Sequence, residues 1–370
     1  MSIVGRYVAS LLLVRTAVLL FGLAALMLIL ELLADADQVI AASGAVVRPL
    51  LYYSVLRLPE IFAEVIPISV FLAGLLSFAH LARHSELAAL YAAGISKPRL
   101  AIAVLPVGIV IAALQFLIQD QAVPRAAIEL RAWGVGDYGS HRDAPTWLRQ
   151  GDDITRIERV DEEGRQLTGV RIFRRDADGN FLEEIAADRA RYQHGGWVLQ
   201  GVSRSSLATL TVDTYGELPW NSQLDPGLVV SLVGHPKRMG LMNLFRVVEL
   251  PKLGAQPGFR YRVWLQERIA APLTTILLIL MTVAMARPHT GRSGRGLSIA
   301  IGIAVGFLSW TFDTLLLTFG DLGLVPPFVA AWAPVPVFAT VALSIGVHEG
   351  PAARIRRPDR RLFARPNEAA

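Results

Sequence analysis

The sequence contains no cysteine, and only three of its 36 basic residues are lysine. Without cysteine there can be no thiol nucleophile, no Cys-ligated zinc and no Cys-held iron–sulfur cluster. The lysine shortage excludes a nucleotide-binding P-loop, in which a lysine must be followed by serine or threonine. Here Lys97 precedes Pro98, Lys237 precedes Arg238 and Lys252 precedes Leu253. Any nucleotide-driven work therefore needs an ATPase on a separate chain, and no cofactor is expected on this one. Charge is scarce as well: Asp, Glu, Lys and Arg make up 18% of the 370 residues, against about 25% in an average soluble chain. With 53% hydrophobic residues and a mean hydropathy of +0.44, the chain reads as a polytopic membrane protein. Disordered, collagen-like and disulfide-stapled classes are excluded. No catalytic triad is visible and the histidines are read as non-ligating, so no metal site is expected. Asp176, Asp178 and Asn180 resemble the start of a calcium loop, but the glycine spacing and terminal glutamate of such a loop are missing. They read as a turn.

A membrane-crossing helix needs about 20 mostly apolar residues, and six stretches qualify. They run at about Tyr7–Leu33, Ile61–Leu81, Leu100–Ile118, Ile269–Ala286, Leu297–Phe319 and Val325–Val347. The first is too long for the apolar region of a signal peptide and lacks a prompt cleavage motif, so it is expected to be a retained anchor. Basic residues cluster in alternate connections: Arg83, Lys97 and Arg99; Arg287, Arg292 and Arg295; and a tail with Arg354, Arg356, Arg357, Arg360, Arg361 and Arg365. The positive-inside rule puts all three clusters, and both termini, in the cytoplasm. The net charge of +5 is then mainly a record of topology, and nucleic acid is not an expected partner.

The interval from about Gln119 to Gln266 is polar and must lie on the other side. Its pattern is β: Ala208, Leu210 and Val212 alternate with Thr209, Thr211 and Asp213, as in a half-buried strand. Asp178-Gly179 reads as a hairpin turn between GVRIF and FLEEI, and Gly195-Gly196 as another before WVLQGV. Short strands about ten residues apart indicate a sandwich or jelly-roll-like domain. The expected organisation is residues 1–120 as a first helical half with a short connecting helix at about 82–97, 121–266 as the β-domain with its connectors, 267–349 as a second helical half and 350–370 as a basic tail.

The loop after the second span reads ARHSELAALYAAGISKPRL. Leu87, Leu90, Tyr91 and Gly94 share one helical face, with Ser85 as an expected N-cap, Glu86 in the first turn and Gly94 as the stop. Such a helix either rests at the lipid interface or docks in a groove of a cytosolic partner. Its acidic start and its alanines (Ala88, Ala89, Ala92, Ala93) favour docking. The segment SELAALYAAGIS, preceded by Pro67 and LAGLLSFAHLARH, resembles the signature of the LptF/LptG (YjgP/YjgQ) family of lipopolysaccharide-export permeases. The three-plus-three layout with a β-insert and the segment YRVWLQERIAAPL at Tyr261–Leu273 are similar too, so the likeness spans essentially the whole chain.

That resemblance implies six transmembrane α-helices around an inserted periplasmic β-jelly-roll, in a bacterial inner-membrane subunit that is not itself an enzyme. It implies as partners an LptB-like ATPase dimer, a second LptF/LptG-type permease, an LptC-like periplasmic protein and lipopolysaccharide as substrate. The loop after the second span becomes the coupling helix, with Glu86 at the family's acidic position and Gly94 at the helix end. Arg131 matches a family arginine implicated in substrate contact, and Arg125 lies at similar depth. Arginine suits phosphate through its bidentate fork. Arg48 and Arg57 are weaker substrate candidates. Where relatives carry lysines after the first span, this chain has Glu31, Asp35 and Asp37.

Charges inside spans are costly and functional by default. Asp313 lies mid-span, with a hydrogen bond to a neighbouring helix favoured over an ion path. Arg15 is expected to snorkel to the interface, and Glu60 and Glu64 to be solvated acids at a helix start. Gly302 and Gly306 form a GxxxG pattern suited to helix contact. Two other classes stay open: a permease for a different envelope lipid or a lipoprotein, and a non-transporting scaffold with a docking domain.

Overall fold

In a computed structural model, residues 3–43, 46–135, 145–161, 163–176, 180–206, 211–222, 224–249, 254–286 and 295–347 are described. Ala208, Leu210, Asp178-Gly179, Arg287, Arg292 and the basic tail fall outside them. The first helical set is α1 (Ile3–Ser43), α2 (Val47–Arg83), the short α3 (Glu86–Ala92) and α4 (Lys97–Leu117). A π-helical turn, Ile118–Ala122, joins α4 to α5 (Val123–Trp133). Six strands follow: β1 (Thr146–Gln150), β2 (Asp153–Val160), β3 (Gln166–Arg175), β4 (Phe181–Gln193), β5 (Gly196–Ser206) and β6 (Thr211–Trp220). After α6 (Pro226–Leu232), a 3-10 turn (Pro236–Arg238) and α7 (Leu241–Glu249), the second set is α8 (Gly258–Met285), α9 (Arg295–Asp321), α10 (Pro327–Trp332) and α11 (Pro334–Val347).

Among the described residues, five helices are long and apolar enough to cross a membrane. The sixth expected stretch is helical but broken into α10 and α11, because Pro334 and Pro336 each remove an N–H donor. Helices also run past the ends that hydropathy suggests. At 41 residues α1 extends about 60 Å, twice a bilayer core. The third span does not stop at Ile118. Pro124 cannot donate back to the helix, and the ladder widens by one residue just before it, carrying the chain through to Trp133.

The strands form one antiparallel sheet in the order β1-β2-β3-β4-β5-β6, a meander inserted between the two helical sets. A crease crosses it. Pairing of Ile157 with Val170, Val170 with Ala187, Ala187 with Val202 and Val202 with Tyr215 resumes two residues on, at Arg159, Thr168, Arg189, Gln200 and Glu217. Between them lies the row Glu158, Gly169, Asp188, Gly201 and Gly216. Buried positions change parity across it: Leu167 to Val170, Ala187 to Ala190, Leu199 to Val202. Gly169 and Gly201 have φ of +62° and +66°, and a Cβ on either would collide with Glu158 or Asp188. Glycine is therefore required at both.

The sheet packs its apolar face on α6, α7 and the start of α8. Trp197, Trp220, Leu199 and Val202 meet Leu228, Val229 and Leu232 of α6, Leu244 and Val247 of α7, and Tyr261 and Leu265 of α8. The Trp197 indole donates to the Leu224 carbonyl (2.7 Å). Because α8 continues into the membrane set, the β-domain stands directly on a spanning helix. The GxxxG expectation is met within the chain: a Cβ on Gly302 would lie 2.5 Å from Leu75, and one on Gly306 would strike Phe71. These glycines let α9 close on α2.

Candidate functional site

Two regions, one at the middle of α2 and one at its C-terminal end, carry the functional features. From its middle, α2 presents Glu60 and Glu64 to the 3-10 turn. Glu60 accepts from Arg57 Nη1 (2.5 Å) and from Arg238 Nε (3.0 Å), with its side chain only 8% exposed. Glu64 pairs with Lys237. Arg57 also grips Glu31 of α1 through two nitrogens, and Asp35 of α1 accepts from the Tyr53 hydroxyl (2.7 Å). The reading of Glu60 and Glu64 as solvated helix-start acids is thus incorrect. Both lie within α2, which begins at Val47, and both bond basic residues of other elements. The same lattice explains Glu31 and Asp35: they are partners for α2.

Arg268 of α8 is 4% exposed and donates to the carbonyls of Gln119 (2.5 Å), Lys237 (2.9 Å) and Met239 (2.7 Å). Asp120, in the π turn, accepts from the Leu241 amide (2.6 Å) and so caps α7 from a distant element. Asp321, at the end of α9, pairs with Arg260 and accepts from the Trp264 indole (2.8 Å). Beside it His235 accepts the Lys237 amide at Nδ1 (3.1 Å). Burial pushes the His235 imidazole below its ordinary range; Asp321 opposes this, while Arg260, Arg238 and Lys237 reinforce it.

Beneath this lattice lies a cavity of about 450 Å³ between α2, α4, α8, α9 and α11. Phe71, Leu278 and Phe338 form apolar walls, and Glu60, Glu64, Lys237 and Arg268 line the polar part. Asp313 of α9 and Glu267 of α8 face into it, near enough for their charges to interact. Among the described residues no neighbouring helix offers Asp313 a hydrogen bond, so cavity lining replaces the interhelical bond that its sequence position suggests. A cavity of this size is in the range of a small-ligand site and is too small for a multi-acyl lipid.

At the far end of α2 the chain reverses through His84 and Ser85 into α3. Ser85 adopts φ of +59° and makes no side-chain cap, so the expected N-cap bond is absent; a left-handed residue here serves the reversal. Gly94, at φ +84°, ends the helix as expected. The apolar face of α3 points inward: Leu87 is fully buried, and Tyr91 packs on the core formed by Val8 and Leu12 of α1, Leu81 of α2 and Leu100 of α4. Leu90 is half-buried, and Ala88, Ala89, Ala92 and Ala93 are exposed. Glu86 lies against the Tyr7 hydroxyl of α1. Arg15 of α1 donates to the Leu76 carbonyl of α2, a helix-to-helix bond where snorkelling was expected.

The four arginines singled out from sequence do not converge, and none lines the cavity. Arg131 donates to the Val230 carbonyl (2.6 Å), and its guanidinium lies against Gly234, which seats it at the carbonyl end of α6. Arg125 is exposed and donates to the Gln121 side chain (3.1 Å). Arg48 is exposed at the start of α2, and Arg57 sits between Glu31 and Glu60. Sequence reasoning missed Lys237, Arg238, Arg260 and Arg268, whose partners lie tens of residues away. It also missed a signal that was local: His80 and His84 stand four residues apart, a His-x-x-x-His pair at the C-terminal end of α2.

Apolar helices around a polar-mouthed cavity, with a β-domain inserted between the two helical sets, are the architecture of a membrane permease with an inserted β-domain. The chain belongs to the lipopolysaccharide export system permease LptF/LptG family, whose model it matches over residues 6–346. It is 25% identical to the lipopolysaccharide export system permease protein LptG of Escherichia coli (strain K12) over 307 residues, covering 79% of this chain and 83% of the relative. The Haemophilus influenzae protein of the same name is 22% identical over 270 residues, covering 70% and 75%.

Proposed function

We propose that the chain is the LptG-type permease subunit of an inner-membrane ABC exporter, which extracts lipopolysaccharide and passes it to a periplasmic bridge. The supporting observation is the family match from residue 6 to 346, which takes in both helical sets and the β-domain. In this reading α3 faces the cytoplasm and docks in a groove of an LptB-like ATPase dimer, and the sheet faces the periplasm and an LptC-like partner. Because α3 is keyed into the bundle by Leu87, its docking surface is the exposed alanine face together with Glu86.

The internal cavity is too small for a lipid with several acyl chains, so the substrate space must form between this chain and a second LptF/LptG-type permease. Two faces are available. Only 6% and 11% of the residues in the apolar stretches of α1 and α9 are buried, and those helices are the natural walls of a shared lumen. ATP-driven closure of the ATPase would push α3, and Leu87 would pass the displacement to Val8 and Leu12 of α1 as a rigid-body shift. Arg131 and Arg125 are proposed as phosphate contacts for the emerging headgroup.

Reversing charge at the docking helix tests this directly. With Glu86→Arg, copurification of the ATPase and release of lipopolysaccharide from proteoliposomes are both expected to fail. Survival of both would sink the coupling role of α3. Lipid mass spectrometry on the purified complex reads the substrate, and recovery of lipoprotein in place of lipopolysaccharide would overturn its identity.

A further inference from the structure

The reversal between α2 and α3 sets two histidines that no transport step above uses beside Glu86 of the docking helix. His80 projects from the last turn of α2, His84 is the residue that caps it, and Glu86 opens α3. Each offers one ligand atom, and the three atoms lie within 4.8 Å of one another. The imidazole rings are 4.3 Å apart, centre to centre. The left-handed residue Ser85, φ +59°, folds Glu86 back towards the histidines, and non-glycine residues in that region concentrate where a function over-determines the backbone.

We propose that His80, His84 and Glu86 form a binding site for a divalent transition-metal cation of the zinc class, tying the end of α2 to the start of α3. The donor set is two imidazoles and one carboxylate, which suits zinc with a fourth position left for water and does not suit magnesium or calcium. The structure already holds one second-shell bond that such sites use. His84 Nδ1 lies 3.0 Å from the His80 carbonyl; donating there, it fixes the tautomer that leaves Nε2 free to ligate. Ligands of a tetrahedral zinc stand about 3.3 Å apart, which partly exposed side chains reach by small rotations. Arg83 and Arg15 face His80, and the Tyr7 hydroxyl faces Glu86. The two cations oppose the metal and hold its affinity well below that of a four-ligand structural zinc. A bound ion would fix α3 against α2, and so would act as a brake if α3 is the docking helix. Binding itself does not depend on that role.

The experiment is zinc chloride titration by calorimetry into the full chain in nanodiscs, purified without a histidine tag and stripped with chelator. One zinc per chain is expected to bind at micromolar concentration, unaffected by millimolar magnesium. His84→Gln and His80→Gln should each weaken it at least tenfold while leaving the metal-free melting temperature unchanged, since neither ring anchors the core. Absence of saturable binding up to about 100 µM zinc, or binding that both variants leave intact, overturns the site. Neither result bears on the docking reading, which ATPase copurification decides.

Discussion

Replacing Glu60 by glutamine should loosen the joint between the membrane helices and the β-domain base. The carboxylate is 8% exposed and takes bonds from Arg57 at 2.5 Å and Arg238 at 3.0 Å. Glutamine keeps the volume and removes the charge that both guanidiniums face. Arg57 keeps its pair with Glu31, while the contact between Glu60 and Arg238 loses its charge. Breaking a buried ion pair from one side costs about 3–5 kcal/mol. At about 2 °C per kcal/mol for a chain of this size, the melting temperature should fall by about 6–10 °C. The assay is thermal unfolding in one detergent for wild type, Glu60→Gln, Arg238→Gln and the double variant. A coupling of at least about 1 kcal/mol is expected, because the two side chains are in direct contact. It should persist at high salt, since buried pairs are screened little. Additive single effects, or a Glu60→Gln shift below about 1 °C, would refute the clamp.

Gly306→Val should drive a branched side chain into the buried Phe71 ring and destabilise α9 on α2 by about 1–3 kcal/mol, read as a lower melting temperature. In the β-domain, Gly201→Ala should cost about 1–2 kcal/mol for the left-handed backbone alone, with Asp188 adding to it. Gly196→Ala, which meets open space, should stay within about 0.5 kcal/mol. For His235 the folded-state pKa lies below the unfolded value of about 6.5. The unfolded chain then binds the proton more readily, so stability is fully present above about pH 6.5 and is lost as pH falls through the folded value. Melting curves from pH 8 to 5.5 should show that loss, and His235→Asn, which can still cap the Lys237 amide, should flatten it.

The apolar stretches and the β-insert were legible because hydropathy and two-residue alternation are local. The ends of the helices were not. Glu31, Asp35, Glu60 and Glu64 look like solvent-side punctuation, yet each meets a basic or hydroxyl partner on another turn or helix, and that pairing lets α1 and α2 run on past the apolar core. The sheet crease was hidden for a related reason. From the sequence Gly169 and Gly201 simply belong to the strand-like GVRIF and WVLQGV, and only the strand register aligns them with Gly216 into one row. For α3, amphipathicity identified the apolar face correctly but could not say what covers it; the bundle does, leaving the alanines outside. Arg131 and Arg57 were chosen for their chemistry, and the structure shows the local acceptors each one already holds. His80 and His84, by contrast, required nothing beyond counting four residues.

Depletion of the chain in the bacterium that encodes it, followed by separation of inner and outer membranes and quantification of lipopolysaccharide in each, tests the central claim most directly. Export by this subunit predicts that newly made lipopolysaccharide accumulates in the inner-membrane fraction and disappears from the cell surface, and that a restored wild-type copy reverses both. Unchanged delivery to the outer membrane in depleted cells would contradict the account.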